Sequence, residues 1–278
     1  MKFKSTQNFS VISTPFQPFI SENKAIENYR EEMICWNPEI LKREGLVYQF
    51  TVKEAPCNVT LFPDACVNFL FECDPDAPKS WVSGMCTRPL ELSLAANKTY
   101  FGVKPFSNIG LKYRNGHASD YVNKTAALDE VFSLEDDLAS MISQATDFEE
   151  RKKTFFRHTA ELIHHERDTL STECLSILLC DNSEEFSLNR VEQEMGYTKR
   201  YSEQLFKTEI GIPPKKYSRV IRFQNCLKEL NEMTIAGNLA DVAIKLGYYD
   251  QAHLIRDFKS FTNYPPMKLV KELRAVSC

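Results

Sequence analysis

No apolar run in the 278 residues approaches the ~20 that a membrane-spanning helix needs; the longest, CVNFLF from Cys66 and LSILLC from Leu175, are far shorter. The start, MKFKSTQNFSV, has no apolar stretch of the kind a secretory leader carries, so a cytoplasmic protein without membrane contact is expected. Nine cysteines are scattered with no C-x-x-C pair, which predicts reduced, buried thiols. Histidine is scarce: of five, only His117 falls in the β-rich region, whereas a metal-dependent barrel gathers two or three with a carboxylate. His164 and His165 are adjacent on a predicted helix and point apart. P-loop, G-x-G-x-x-G, G-x-S-x-G and H-E-x-x-H motifs are all missing. No catalytic residue, metal or cofactor is expected. A strong charge of one sign is lacking too: 34 basic and 38 acidic residues give -4, which as an average argues against a nucleic-acid partner.

The average hides a split. Residues 1–186 hold 19 basic and 28 acidic groups, whereas 187–278 hold 15 basic and 10 acidic. The first part is therefore at -9 and the second at +5, an asymmetry that hints at nucleic-acid contact.

In the acidic part, LVYQFTVK alternates from Leu46 as a half-buried strand does, with Leu46, Tyr48, Phe50 and Val52 on one face. Further short strand candidates follow: NVTLF, ACVNFLFEC, WVSGM, LELSL, TYFGVKP and IGLKYR. Their spacing, with turn signals between, predicts a small sandwich or barrel. Helical periodicity begins at Val131, Leu134 and Leu138, and a second helix starts at the N-cap Asp147. The segments FFRHTAELI and CLSILLC offer apolar faces for dimerisation or for packing on the barrel.

The basic part repeats itself. LNRVEQEMGY from Leu188 aligns with LADVAIKLGY from Leu239 at an offset of 51, and after one inserted residue Phe206-Lys207 and Pro213-Pro214 align with Phe258-Lys259 and Pro265-Pro266 at 52. Two copies make a duplicated supersecondary unit rather than a solenoid. Each reads as helix, glycine turn, helix. In copy one Leu188, Val191 and Met195 face inward, Gly196 turns, Thr198 caps, and Tyr201, Leu205 and Phe206 face inward again. In copy two Leu239, Val242 and Leu246 precede Gly247, the cap Asp250, and an inward stripe of Leu254, Ile255 and Phe258. This is the helix-turn-helix pattern, in which the outward N-terminal face of the second helix enters the major groove. The candidate DNA-contacting residues are Lys199, Arg200, Glu203, Gln204 and Lys207 in copy one and Gln251, His253 and Arg256 in copy two, with Ala252 beside them. A helix from Pro213 to Met233 joins the copies; about 19 residues span roughly 28 Å, near the ~34 Å of one duplex turn. Lys215, Lys216, Arg219 and Arg222 on it are expected to meet phosphates.

The stretches GYTKRYSEQLFKTEIGIPPKKYSRVIRFQNCLKEL and LADVAIKLGYYDQAHLIRDFKSFTNYPPMKL resemble the DNA-binding domain of the AraC/XylS family of bacterial transcription regulators, over about 95 residues from Phe186. Ala252, Leu254 and Asn263 depart from its pattern, where a small hydroxyl residue, Phe and Gly are usual. LFPDACVNFLFE and TYFGVKPFSN, within residues 10–145, resemble the cupin-like domain attached to some of these regulators. The resemblance implies an α+β chain: a cupin-like effector domain over 1–128, a helical linker and dimerisation region over 129–181, and an all-α double helix-turn-helix domain over 182–278. It further implies double-stranded DNA and RNA polymerase as partners, homodimerisation, and a small-molecule effector. Tyr48, Phe50, Phe62, Phe69, Phe71, Trp81, Tyr100 and Phe101 are candidate pocket aromatics, although plain core is the commoner use of such residues. Two alternatives stand beside this reading. A DNA-repair methyl acceptor would need a zinc-held nucleophile that Cys35, Cys57, Cys66, Cys73 and Cys86 are not spaced to form. A dimerisation module with weak DNA affinity would follow if Ala252 and Glu203 prevented docking.

Overall fold

A computed structural model describes residues 15–35, 44–106, 110–134, 136–162, 192–193, 196–233 and 238–277. The predicted residues Leu188, Val191, Met195, His164 and His165 and the segment CLSILLC lie outside them.

A short helix α1 (Pro18–Ser21) leads into strands β1 (Ile26–Cys35), β2 (Glu44–Val52), β3 (Cys57–Leu61), β4 (Asn68–Glu72), β5 (Lys79–Ser83), β6 (Leu90–Leu94), β7 (Thr99–Pro105) and β8 (Thr125–Ala127). Six form an antiparallel sheet in the order β1-β2-β7-β4-β5-β8, and β3 pairs with β6. The class is α+β. No closed ring of strands forms among the described residues; the small sheet covers one face of the large one. Between them lie Tyr48, Phe50, Val59, Leu61, Leu70 and Tyr100. This interior is filled by side chains: a Cβ on Gly102 would sit 2.1 Å from the Tyr48 ring, so that ring rests on the glycine.

The other face of the large sheet is buried as well. Helices α2 (Leu128–Val131), α3 (Leu138–Gln144) and α4 (Phe148–Thr159) pack there, Phe155 lying edge-on to Phe69 and Phe71. Arg151 of α4 fixes this layer by donating to Gln49 Oε1 at 2.7 Å and to the Ala145 carbonyl at 2.8 Å. Strand β2 is buried on both faces only around Val47; Gln49 and Thr51 on the second face are half-buried, in keeping with its alternation. Asp147 does cap α4, accepting from Glu150 N–H. Two strand expectations fail. β1 was not predicted because it is an edge strand whose Glu27, Arg30 and Glu31 face water and whose register slips between Glu27 and Arg30. Residues 110–114 of IGLKYR form no extended ladder: Lys112 N–H bonds the Leu162 carbonyl and Arg114 N–H the Val131 carbonyl.

The C-terminal part is helical: α5 (Lys199–Ile210), α6 (Pro214–Glu232), α7 (Leu239–Lys245), α8 (Gln251–Thr262) and α9 (Pro266–Ser277). Phe206, Tyr217, Phe223, Leu227, Leu254, Phe258 and Phe261 form its core, which continues without a break onto Phe62, Ala65 and Met85 of the sheet domain. Polar groups close the same junction. Gln224 of α6, buried, donates to the Pro63 carbonyl and accepts from Phe16 N–H, both at 2.8 Å. Next to it Gln17 brackets Phe62 and donates to Asp64, which also holds the buried Lys104 at 2.5 Å.

Candidate nucleic-acid interface

Both second helices are set by their first turns. Thr198 accepts from Tyr201 N–H and Asp250 from His253 N–H, satisfying amides that a helix start leaves open. The glycine turns ahead of them use left-handed backbone, φ 75° at Gly196 and 70° at Gly247. Asn263 ends α8 at φ 65°, the conformation for which Asn is the usual substitute when Gly is absent. The predicted joining helix is α6, of 19 residues.

On α5 the core-facing side is Ser202, Phe206 and Ile210. The 3.6-residue period puts Arg200, Gln204 and Lys207 together on the opposite side, with Glu203 and Tyr201 at its two margins. All five are exposed, as is Lys199, whose ammonium lies 3.9 Å from Glu192. On α8, Leu254, Phe258 and Phe261 face inward, and Ala252, Arg256 and Lys259 form the matching outward row. Gln251 is exposed at the helix start. His253 is half-buried, edge-on to Tyr248 with centroids 5.3 Å apart.

The structure also revises the sequence reading. Tyr201, expected inward, is 50% exposed, because Ser202 takes the core position and turns its neighbour out. Leu205 is half-buried at the margin, whereas Ile255 sits at the boundary of the inward stripe as its position allows. Arg219 does not offer free charge to phosphates, and Arg222 is held within the domain although its charge is not paired among the described residues. Arg219 pairs with the buried Asp257 of α8, its Nε donating to Oδ1 at 2.9 Å, and Arg222 donates to the Gly247 carbonyl at 2.9 Å while lying over the Tyr248 ring. Lys216 sits over Phe261, and burial lowers its pKa. Lys215 stays exposed. Lys259 was missed, although the offset of 52 pairs it with Lys207. The inserted residue that changes the offset is Tyr249, between the equivalent Tyr197/Tyr248 and the caps Thr198/Asp250; it is 84% exposed.

Of the candidate pocket aromatics, all but Trp81 are buried in the sheet-domain core or at its junction with the helices. Trp81 lines an open groove of about 620 Å³ with Lys79, Arg114, Asp129 and Asp136. Several of its polar groups already have partners: Lys79 bonds Glu72, Arg114 the Asp129 carbonyl, and Asp136 His158. No group of three or more metal-ligating side chains occurs among the described residues.

Residues 191–272 match the family model described as a helix-turn-helix domain. The C-terminal part of the chain therefore holds a helix-turn-helix domain. A curated relative, the HTH-type transcriptional activator AarP of Providencia stuartii, is 29% identical over 80 residues, which are 29% of this chain and 58% of AarP. The chain thus spans little more than half the length of that relative. ToxT of Vibrio cholerae aligns with a TM-score of 0.41 at 9% identity, over 89% of this chain and 98% of ToxT. A ToxT structure with bound unsaturated fatty acid aligns at 0.40 and 10%, over 89% and 95%. Within the helix-turn-helix domain α5 and α8 are the second helices of the two units, and each presents its outward row away from the shared core. No helix among the described residues is long and apolar enough to cross a membrane.

Proposed function

We propose that the chain is a sequence-specific, double-stranded-DNA-binding transcription regulator of the cytoplasm, and that it is not an enzyme. The observation that carries this reading is the duplicated helix-turn-helix unit, whose two exposed polar rows are separated by the 19 residues of α6. That length, roughly 28 Å, suits successive major grooves on one side of a duplex. Arg200, Gln204 and Arg256, with Glu203, Gln251 and His253 beside them, read base edges; Lys199 and Lys207 neutralise phosphates. The sheet domain, residues 1–128, receives a small-molecule signal. Residues 129–181 form the linker and homodimer region, and residues 182–278 hold the DNA-binding surface and a contact with RNA polymerase. The junction through Gln224 and Phe62 supports such coupling, because the reader's core is also the sheet domain's.

The methyl-acceptor alternative loses ground on chemistry. Burial pushes three of the described thiols up, Cys73 to about 11 and Cys86 and Cys226 to about 12, which disfavours the thiolate at those positions.

The test is a shift assay on the chain's own promoter region across salt. Arg200→Ala with Arg256→Ala should abolish preference for the site over random DNA, and affinity should fall steeply with salt. A double variant that binds as tightly and as selectively as the parent overturns the residue assignment; binding indifferent to salt overturns the whole reading.

A further inference from the structure

The two copies carry one aromatic contact in two states. Tyr197 and Tyr201 stack with centroids 5.3 Å apart and planes at 29°; the equivalent Tyr248 and His253 also lie 5.3 Å apart, but edge-on at 89°. In copy two Tyr248 is 3% exposed, tucked against α6 by Arg222. In copy one both rings stay open, 40% exposed at Tyr197 and 50% at Tyr201.

Tyr201 stands at the margin of the row formed by Arg200, Gln204 and Lys207, one turn before Gln204, so its exposed ring borders whatever lies before those residues. Stacking on Tyr197 orders that ring in the free protein, which lowers the entropy cost of using it in a contact. A major groove offers one apolar group to such a surface, the 5-methyl of thymine. We propose that Tyr201, braced by Tyr197, is a specificity-determining residue that packs on a thymine methyl in the half of the DNA site read by α5. The half-buried His253 makes no equivalent contact in the other half. This deepens the DNA-reading function above and rests on it.

The test uses the full chain and duplexes of its selected site, with each thymine in turn replaced by uracil, which lacks only the methyl. One replacement in the α5 half should weaken binding about fourfold, the effect of one buried methyl-sized group. Tyr201→Phe should keep that loss, and Tyr201→Ser should bind the two duplexes alike. The inference is overturned if no uracil weakens the parent, or if Tyr201→Ser retains the full penalty. It is equally overturned if Tyr201→Phe binds as poorly as Tyr201→Ser while uracil is neutral, which would make a hydroxyl-to-phosphate bond the contact. A chain that selects no DNA site fails earlier, at the reading itself, and takes this inference with it.

Discussion

In the second helix-turn-helix unit, Arg222 ties the glycine turn to α6 and Arg219 ties α8 to the same helix, so the unit is braced through α6 of its own domain. The first unit is anchored differently. Its α5 ends at Gly211, φ 100°, where a Cβ would lie 3.2 Å from the Ala118 carbonyl and from Val122, so this end of the helix rests on the sheet domain. Duplicated sequence has thus acquired two kinds of support. The comparison teaches where a signal could act: a rearrangement of the sheet domain reaches α5 at Gly211 and α6 at Gln224 directly, and reaches α8 through α6.

The largest effect is expected where the sheet domain meets the second unit. Phe223 packs on Phe62 of the sheet domain and on Phe258 and Phe261 of the second unit. Phe223→Ala should destabilise the chain by about 3–5 kcal/mol and lower one thermal transition covering both units. Two separate transitions would show that the units do not share a core. Asp257→Ala removes the carboxylate that holds Arg219. Because the arginine side chain is 35% exposed, the cost should be about 1–2 kcal/mol rather than that of a fully buried pair. Base preference should weaken in the half of the site read by α8 and persist in the other half, as measured by selection on randomised DNA. Capping should be symmetric, with Thr198→Ala and Asp250→Ala each losing about 1 kcal/mol in denaturant unfolding. A much smaller loss at Thr198 would mean that the sheet domain holds α5 regardless of its cap. The smallest expected change is informative for being near zero. Lys215→Gln should reduce the salt slope of binding by about 1, whereas Arg219→Gln should leave it unchanged, since that charge is already paired within the protein.

Much of the DNA-binding domain was legible because its signals are local. Glycine at the turns, Thr198 and Asp250 as caps, the prolines before α6 and α9, and Asn263 at a left-handed end each act within a few residues. The repeat then placed the second helix of each unit. Orientation at the margins was not legible: Ser202 and Tyr201 compete for one inward position, and only the packed core decides between them. The fates of Arg219 and Arg222 were hidden for a related reason, since their partners Asp257 and Gly247 lie 38 and 25 residues away. In the sheet domain the alternation of β2 was read correctly as a strand, but the burial of its second face around Val47 depends on α4, whose Arg151 meets Gln49 from 102 residues away. β1 escaped because an edge strand with charged residues has little apolar pattern to read.

The most direct measurement is selection of bound sequences by the parent, by Arg200→Ala and by Arg256→Ala. Two helices reading successive grooves predict two blocks of preferred bases whose centres are about 10 base pairs apart. Arg200→Ala should flatten one block and Arg256→Ala the other. If both variants flatten the same block, or if neither alters the selected sequence, the two-helix account is contradicted.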